Sequence, residues 1–197
     1  MELKAVNKAF KAPVLLDLSA SFNRGFHIIT GANGCGKTTL LRIISGRLIA
    51  DSGEISPCPE KVSSVFNSAS FYPQLTAAQN LEFFLALRGK KPGRGEILKA
   101  CLAAGLPETE LDKKVETLSS GNLVKAGLAK MYLEDGEVFL IDEVLSSLDS
   151  ESFEKNLTLL VEKSLKKTVL LVSHQKERFL QNASSLWEIR EGRIYPL

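Results

Sequence analysis

The fold is decided by the stretch GANGCGKTTLL, Gly31 to Leu41, which follows the short apolar run FHIIT and opens a helical run. Gly31 to Thr38 match the pattern G-x-x-x-x-G-K-[ST], whose small residues let successive backbone N–H groups turn toward an anion at a helix N-terminus. Lys37 is expected to reach the terminal phosphates of a nucleotide, and Thr38 to offer its hydroxyl to Mg²⁺. The loop predicts a phosphate site but does not choose among kinases, GTPases and motor or transport ATPases.

Composition limits the class of protein. The chain has 197 residues, 44% of them hydrophobic and 24% charged, with a formal net charge of +2. These values are typical of a globular domain and exclude a disordered or fibrous chain. The charge is too small to indicate nucleic acid as a partner. No apolar run is long enough to span a membrane and no signal core begins the sequence, so we expect a cytosolic protein. Any role in a membrane must then come through a partner.

The order of strand-like and helix-like segments predicts an α/β fold. Short strands with turns occupy the first thirty residues, which predicts an antiparallel β part, and Thr39 to Leu48 predict a helix that ends in the turn residues ADSGE. Helix-like segments then run from Thr76 to about residue 136, and buried strands alternate with helices after that. We therefore predict a P-loop NTPase core (1–70 and 137–197) with a mostly parallel sheet, interrupted by a helical subdomain (about 71–136), in one domain covering 1–197.

A second motif places carboxylates beside the predicted phosphate loop. The run VFLIDE, Val138 to Glu143, is an apolar strand that ends in two acids. Open α/β sheets keep their sites at the carboxyl ends of the strands, which predicts Asp142 in the Mg²⁺ shell. Glu143, one residue further, is then able to orient or polarise the attacking water.

The run LSSGN, Leu118 to Asn122, narrows the choice of family. Alone it predicts a helix N-cap, made by Ser119 or Ser120. Placed shortly before VFLIDE, it resembles the signature of ATP-binding cassette (ABC) proteins, whose usual form is L-S-G-G-Q. The resemblance covers nearly the whole chain: the phosphate loop, its continuation SGRLIADSGEI, the loop SSLD at Ser146 to Asp149 and LLVSH ending at His174 appear in the family's order.

The resemblance implies a role for each matching residue, with ATP and Mg²⁺ as the cofactors. The implied nucleotide-binding residues are Phe10, which stacks on adenine, and Gly31, Asn33, Gly34, Cys35, Gly36, Lys37, Thr38 and Thr39. The implied catalytic residues are Glu143, His174 and Lys37, and the implied Mg²⁺ ligands are Thr38, Asp142 and, by alignment of a loop, Ser68. The implied groups acting on a second cassette are the signature residues Ser119, Ser120, Gly121 and Asn122, and the dimer-loop residues Ser147 and Asp149.

Several positions depart from the family pattern. Ser120 and Asn122 stand where Gly and Gln are usual, and Val144 and Leu145 replace the usual Pro-Thr. Ser68, preceded by Asn67, takes the place of a loop glutamine that touches the metal in relatives. We expect this last change to loosen the link between partner docking and catalysis.

The resemblance implies the ATP-binding and ATP-hydrolysing subunit of an ABC transporter. Such a subunit works as a homodimer or heterodimer of cassettes, lies on the cytoplasmic face of the membrane and drives a transmembrane permease subunit on another chain. Alternatives are a soluble ABC protein outside transport and a weakly hydrolysing nucleotide-dependent regulator. The chain is also similar to haem-export ATPase subunits of cytochrome c maturation. The shared features are the small size, a signature with its first glycine replaced, the sequence SHQ at Ser173 to Gln175 and the segment LTAAQNL.

Overall fold

Two β-sheets and a set of helices make up the part of the protein that its computed structural model describes, residues 1–66 and 71–197. The strands are β1 (Glu2–Ala9), β2 (Pro13–Ser21), β3 (Gly25–Thr30), β4 (Ser52–Ser56), β5 (Val62–Val65), β6 (Val138–Asp142), β7 (Thr168–Val172), β8 (Ser185–Arg190) and β9 (Arg193–Pro196). The α-helices are α1 (Lys37–Ile44), α2 (Ala77–Ala86), α3 (Arg94–Ala103), α4 (Ser120–Glu134) and α5 (Ser150–Ser164).

The larger sheet has the strand order β5-β6-β7-β3-β8-β9. The pairs β6–β7, β7–β3 and β3–β8 are parallel, and β8 pairs with β9 in the antiparallel direction. All residues of β6 and β7 are buried, as expected for strands covered on both faces. A separate antiparallel sheet has the order β2-β1-β4. The predicted α/β class with an antiparallel N-terminal part is confirmed.

Two local predictions after the phosphate loop were wrong. The helix predicted to reach Leu48 ends at Ile44, because Gly46 adopts a left-handed φ of 72°. The last three residues of the predicted turn ADSGE, Ser52 to Glu54, belong to β4, which pairs with β1 from Glu2↔Ser56 to Asn7↔Ser52. These residues are typical of turns, but hydrogen bonds to β1 stabilise a strand here.

The chain divides into two compact units, which are described separately. The phosphate-loop unit comprises Met1–Ser64, Glu137–Glu143 and Leu160–Leu197. Its core contains the buried aromatic residues Phe22, Phe26, Phe139 and Phe179 and the apolar strand residues of the larger sheet. The helical unit comprises Val65–Gly136 and Val144–Leu159.

The helices of the helical unit begin at well-defined caps. Thr76 and Gln79 form a capping box at the start of α2, and Ser119 caps α4 by accepting a hydrogen bond from the Asn122 N–H at 3.2 Å. Helix α4 ends at Asp135, whose φ of 49° is left-handed. Within residues 1–66 and 71–197, no helix has the length and apolar character needed to cross a bilayer.

Candidate functional site

The phosphate loop connects β3 to α1 through glycines in conformations that other residues avoid. Gly31, Gly34 and Gly36 have φ values of 142°, 77° and 109°. A Cβ on Gly31 would lie 2.4 Å from the Ile189 carbonyl oxygen, and one on Gly36 would lie 2.7 Å from the Leu15 side chain. Side chains at these two places are excluded by backbone strain and by space, so the loop keeps the exposed backbone that a phosphate needs.

Lys37 is the first residue of α1 and its side chain is buried. Its ammonium group donates hydrogen bonds to the carbonyl oxygens of Gly31 and Ala32, each at 2.9 Å. The Lys37 Nζ also lies 3.7 Å from Glu143 Oε1. The charge is therefore held inside the curve of the loop, between the backbone carbonyls and a carboxylate.

Thr38 and Asp142 meet at the carboxyl end of the larger sheet. The Thr38 hydroxyl donates to Asp142 Oδ2 at 2.7 Å. Burial raises the pKa of Asp142, and the hydrogen bond from Thr38 opposes that shift. The pair fits Mg²⁺, which takes oxygen ligands and commonly one or two carboxylates, with waters and substrate phosphates completing its shell. The described residues contain no cluster of three or more His, Cys, Asp or Glu side chains suited to a metal.

Glu143 follows β6 with an unusual backbone. Its φ is 59°, and its N–H donates to the Val172 carbonyl oxygen at 3.1 Å, which fixes the residue against the end of β7. Its Oε1 lies 2.7 Å from His174 Nε2. Because a carboxylate only accepts, the histidine nitrogen carries the hydrogen of this bond. A non-glycine residue in the left-handed region is uncommon, and such strain is concentrated at functional sites.

Phe10 lies in the tight turn between β1 and β2. Its N–H donates to the Ala12 carbonyl oxygen at 3.1 Å, and 63% of the residue is exposed. The strand that leaves this turn approaches the phosphate loop, since the Val14 carbonyl oxygen would lie 3.2 Å from a Cβ placed on Gly36. The exposed Phe10 ring is accessible to a flat ligand.

The signature residues lie in the helical unit at the start of α4. Ser119 and Ser120 are exposed, and Gly121 and Asn122 are half-buried. An ideal Cβ on Gly121 would lie 3.7 Å from the Ser147 carbonyl oxygen, which is an ordinary van der Waals contact. The start of α4 and the dimer loop are therefore neighbours within this unit.

Asp149 of the dimer loop is held by a lysine that the sequence did not single out. Asp149 caps α5 by accepting from the Ser152 N–H at 2.9 Å, and its Oδ2 accepts from Lys125 Nζ at 2.7 Å. The Lys125 contact and the Ser152 bonds lower the pKa of Asp149. Lys125 belongs to α4, so the ion pair ties the signature helix to the dimer loop.

The predicted residues fall into two groups. Within the phosphate-loop unit, the structure brings together Lys37, Thr38, Asp142, Glu143 and His174, with Asn33, Gly34, Cys35 and Thr39 on the same loop and helix start. Within the helical unit it brings together Gly121 and the dimer loop. Ser68 and Asn67 lie outside the described residues.

Comparison with known proteins gives the family. The family described as ABC transporter matches residues 15–146, about two thirds of the chain.

The chain belongs to the ABC transporter family.

The similarity to individual relatives extends beyond residues 15–146 and covers almost the whole chain. The chain is 32% identical to the spermidine/putrescine import ATP-binding protein PotA of Legionella pneumophila (strain Paris), over 98% of this chain and 57% of the relative. It is also 32% identical to the sulfate/thiosulfate import ATP-binding protein CysA 2 of Chromobacterium violaceum, with the same coverage of both chains. The chain therefore spans little more than half the length of these curated relatives.

A solved member of the same family has a similar fold throughout. The dimeric ATP-binding cassette MJ0796, in a post-hydrolysis state bound to ADP and phosphate, superposes with a TM-score of 0.89 at 26% identity. The superposition covers 98% of this chain and 95% of that one. The ABC cassette fold implied by the sequence motifs is thus confirmed.

Proposed function

We propose that this ABC family chain binds and hydrolyses ATP to drive transport by a separate membrane-spanning subunit. The observation that carries the proposal is the arrangement of Lys37, Thr38, Asp142, Glu143 and His174 at one edge of the larger sheet. Named relatives are import ATP-binding proteins, and a structural relative was solved with ADP and phosphate, which supports ATP as the ligand. The two units are proposed to form one cassette domain over 1–197.

ATP would bind with its phosphates in the loop. Lys37 would exchange the carbonyl oxygens of Gly31 and Ala32 for phosphate oxygens, because charge-assisted hydrogen bonds to an anion are the stronger ones. Thr38 and Asp142 would hold Mg²⁺, which neutralises charge that develops on the phosphates. Phe10 would contact adenine from its exposed position.

Glu143 and His174 would act on the attacking water. Glu143 would accept a hydrogen bond from that water, while His174 donates to the carboxylate and fixes its direction. As the water oxygen bonds to the γ-phosphorus, the bond to the ADP oxygen breaks and the proton of the water passes to the carboxylate. The left-handed backbone of Glu143 holds the side chain ready for this step.

Completion of the site is proposed to need a second cassette, identical or related. Ser119, Ser120, Gly121 and Asn122 of one cassette would face the γ-phosphate bound by the other, where the N-terminus of α4 favours negative charge. Ser147 and Asp149 would contact the partner through the dimer loop. The dimeric structure of the related cassette MJ0796 supports dimerisation.

A membrane-spanning partner is proposed to dock on aromatic residues of the helical unit. Tyr72 and Phe83 are 50% and 38% exposed and stand 5.1 Å apart, edge to face, beside Phe71 and Phe84. Asn80, fully buried, holds this segment by bonding the N–H and carbonyl oxygen of Tyr72 at 2.7 Å and 3.0 Å. Exposed aromatic residues on a rigid support are typical of protein interfaces, and docking there would place the chain on the cytoplasmic face of a membrane.

The transported substrate and direction are separate proposals. The named relatives import spermidine and putrescine or sulfate and thiosulfate, which favours an importer. Haem export is the second candidate, supported by the altered signature, SHQ and LTAAQNL in the sequence. Recovery of the membrane protein that co-purifies with this chain from native membranes distinguishes the two.

The decisive test of hydrolysis is the variant Glu143→Gln. It should bind ATP with the parent affinity, lose about 10²- to 10⁴-fold in turnover because a positioned carboxylate is gone, and accumulate as an ATP-bound dimer. Calorimetry, phosphate release and size-exclusion chromatography measure these properties. Glu137→Gln, which changes an exposed acid just before β6, is the matched control and should behave as the parent. A Glu143→Gln protein that stays monomeric and hydrolyses at the parent rate would contradict the proposal.

A further inference from the structure

The turn that carries Phe10 is fastened to β4 by a single carboxylate. Asp51 immediately precedes β4, and its N–H donates to the Asn7 carbonyl oxygen in β1 at 2.9 Å. Its Oδ2 accepts from the Ala9 N–H at 2.7 Å, and its Oδ1 lies 2.6 Å from Lys8 Nζ. Asp51 therefore bonds both residues that precede Phe10.

The same lysine also contacts the aromatic ring. Lys8 Nζ lies 5.6 Å from the centroid of the Phe10 ring, within the range of a cation–π interaction. Only 14% of the Lys8 side chain is exposed, so its ammonium group has a defined place between the Asp51 carboxylate and the ring. The hydrogen bonds from Lys8 and from the Ala9 N–H lower the pKa of Asp51, and the bond from Lys8 is the larger cause.

The contacts of Asp51 and Lys8 bear on Phe10 because its side chain is largely exposed. The residue is 63% exposed, its N–H donates to the Ala12 carbonyl oxygen, and Ala9 pairs with Pro13 across the turn. An exposed loop residue loses conformational freedom when it packs on a ligand, and a ring already held in place loses less. We expect the effect to be confined to the flat part of the ligand, because Lys8 and Asp51 contact the Ala9 backbone, the Phe10 ring and each other.

We propose that Asp51 and Lys8 are positioning residues for the nucleoside of the bound nucleotide, acting through Phe10 and not on the phosphates. The inference rests on the proposed function, since it requires that the phosphate loop bind ATP. Asp51 sets the backbone of the turn through Ala9, and Lys8 links that carboxylate to the ring. The pair thus contributes to the affinity for ATP and not to the affinity for its triphosphate group.

The test compares two ligands with the same phosphates. Calorimetry measures the affinity of the full chain for Mg-ATP and for Mg-tripolyphosphate, which has no base or ribose. Asp51→Ala should weaken ATP binding by about three- to tenfold, the range for an exposed ion pair together with a carboxylate–amide hydrogen bond, and leave tripolyphosphate binding unchanged. Asp51→Asn, which keeps an acceptor for the Ala9 N–H, should lie between the parent and Asp51→Ala.

The matched control is a carboxylate of β4 that also pairs with a lysine of β1. Glu54 in β4 lies 3.4 Å from Lys4 in β1, and both side chains are more than half exposed. Glu54→Ala should bind both ligands as the parent does. Unchanged ATP affinity in Asp51→Ala, or an equal loss for both ligands, would overturn the inference. A parent protein that bound neither ligand would instead contradict the proposed function.

Discussion

The phosphate-loop unit and the helical unit hold their predicted functional residues in different ways. In the phosphate-loop unit the side chains contact each other: Thr38 bonds Asp142 and Glu143 bonds His174, both at 2.7 Å. In the helical unit the signature residues are exposed or half-buried, and the defined contact is the Ser119 cap on the backbone of its own helix. One group is an assembled set of side chains, and the other is a helix terminus.

This difference predicts which positions tolerate substitution. Hydrolysis requires side-chain groups placed in advance within hydrogen-bonding distance, so a lost carboxylate or lysine has no substitute. A helix N-terminus attracts an anion through backbone N–H groups and the helix dipole, which most residues supply equally. The departures Ser120 and Asn122 lie in the second group, whereas Lys37, Asp142, Glu143 and His174 keep the family's residues in the first.

The largest expected effect is that of Lys37→Ala. The loss of charge-assisted hydrogen bonds to phosphate should weaken ATP binding by about 10²-fold or more, since each such bond contributes about 1.5 to 3 kcal/mol. Calorimetry on the isolated chain measures it. The control Lys155→Ala removes an exposed lysine of the helical unit that pairs with Glu151, and should bind ATP normally. ATP affinity within about threefold of the parent in Lys37→Ala would mean that the assembled side chains do not dominate binding.

A smaller effect is expected from Lys125→Met, which targets the helical unit alone. Methionine keeps most of the length of the side chain and removes the charge that contacts Asp149 at 2.7 Å. Binding of ATP to the isolated chain should not change, while ATP-dependent dimerisation and turnover should fall by about three- to tenfold, as expected for one charge-assisted contact at a partly exposed site.

The control for this variant is Lys155→Met, which removes a lysine from α5 without touching the dimer loop. Lys125→Arg keeps the charge and should restore most of the activity. If Lys125→Met dimerised and hydrolysed like the parent, the ion pair between α4 and Asp149 would have no part in assembling the site.

Local chemistry explains what could be predicted from the sequence. The phosphate loop, the buried strand before Asp142 and the cap at the start of α4 each depend on neighbouring residues, and the structure contains all three. Between the two serines that the sequence offered as a cap, the structure selects Ser119. Spacing within a short segment is sufficient for features of this kind.

Contacts between residues distant in sequence explain the structural features that the sequence did not predict. The strand β4 forms because β1 lies beside it, and its own composition does not indicate a strand. Two ion pairs join residues that are far apart in sequence, Lys125 with Asp149 and Lys8 with Asp51. The sequence does not indicate which surface charges form pairs, and most such pairs contribute little to stability. The left-handed conformation of Glu143 is likewise set by its bond to β7 and not by its residue type.

The smallest expected effect is a pH dependence that belongs to the phosphate-loop unit. His27 is buried in β3, where its Nε2 lies 2.8 Å from the Asn23 carbonyl oxygen and its Nδ1 lies 2.7 Å from Ser185 Oγ. The carbonyl only accepts, so Nε2 donates to it and Nδ1 accepts from the Ser185 hydroxyl. Burial lowers the pKa of His27 below its ordinary value of 6.5. The helical unit contains no histidine, since the other one in the chain is His174.

The sign of the pH effect follows from that lowered pKa. Below pH 6.5, His27 becomes protonated in the unfolded chain while it stays neutral in the folded chain. The contribution of neutral His27 to the free energy of unfolding is therefore fully present above pH 6.5 and falls as the pH drops toward the folded pKa. The slope from this residue is at most about 1.4 kcal/mol per pH unit, the limit for one proton. Hydrogen exchange at pH 5.5 and 7.5, corrected for intrinsic rates, should show weaker protection of β3 and β8 at the lower pH and a smaller change in α3 and α4. His27→Gln should lower stability at pH 7.5 and flatten the slope. An equal loss of protection in both units, or a slope unchanged in His27→Gln, would show that the two units do not differ in this respect.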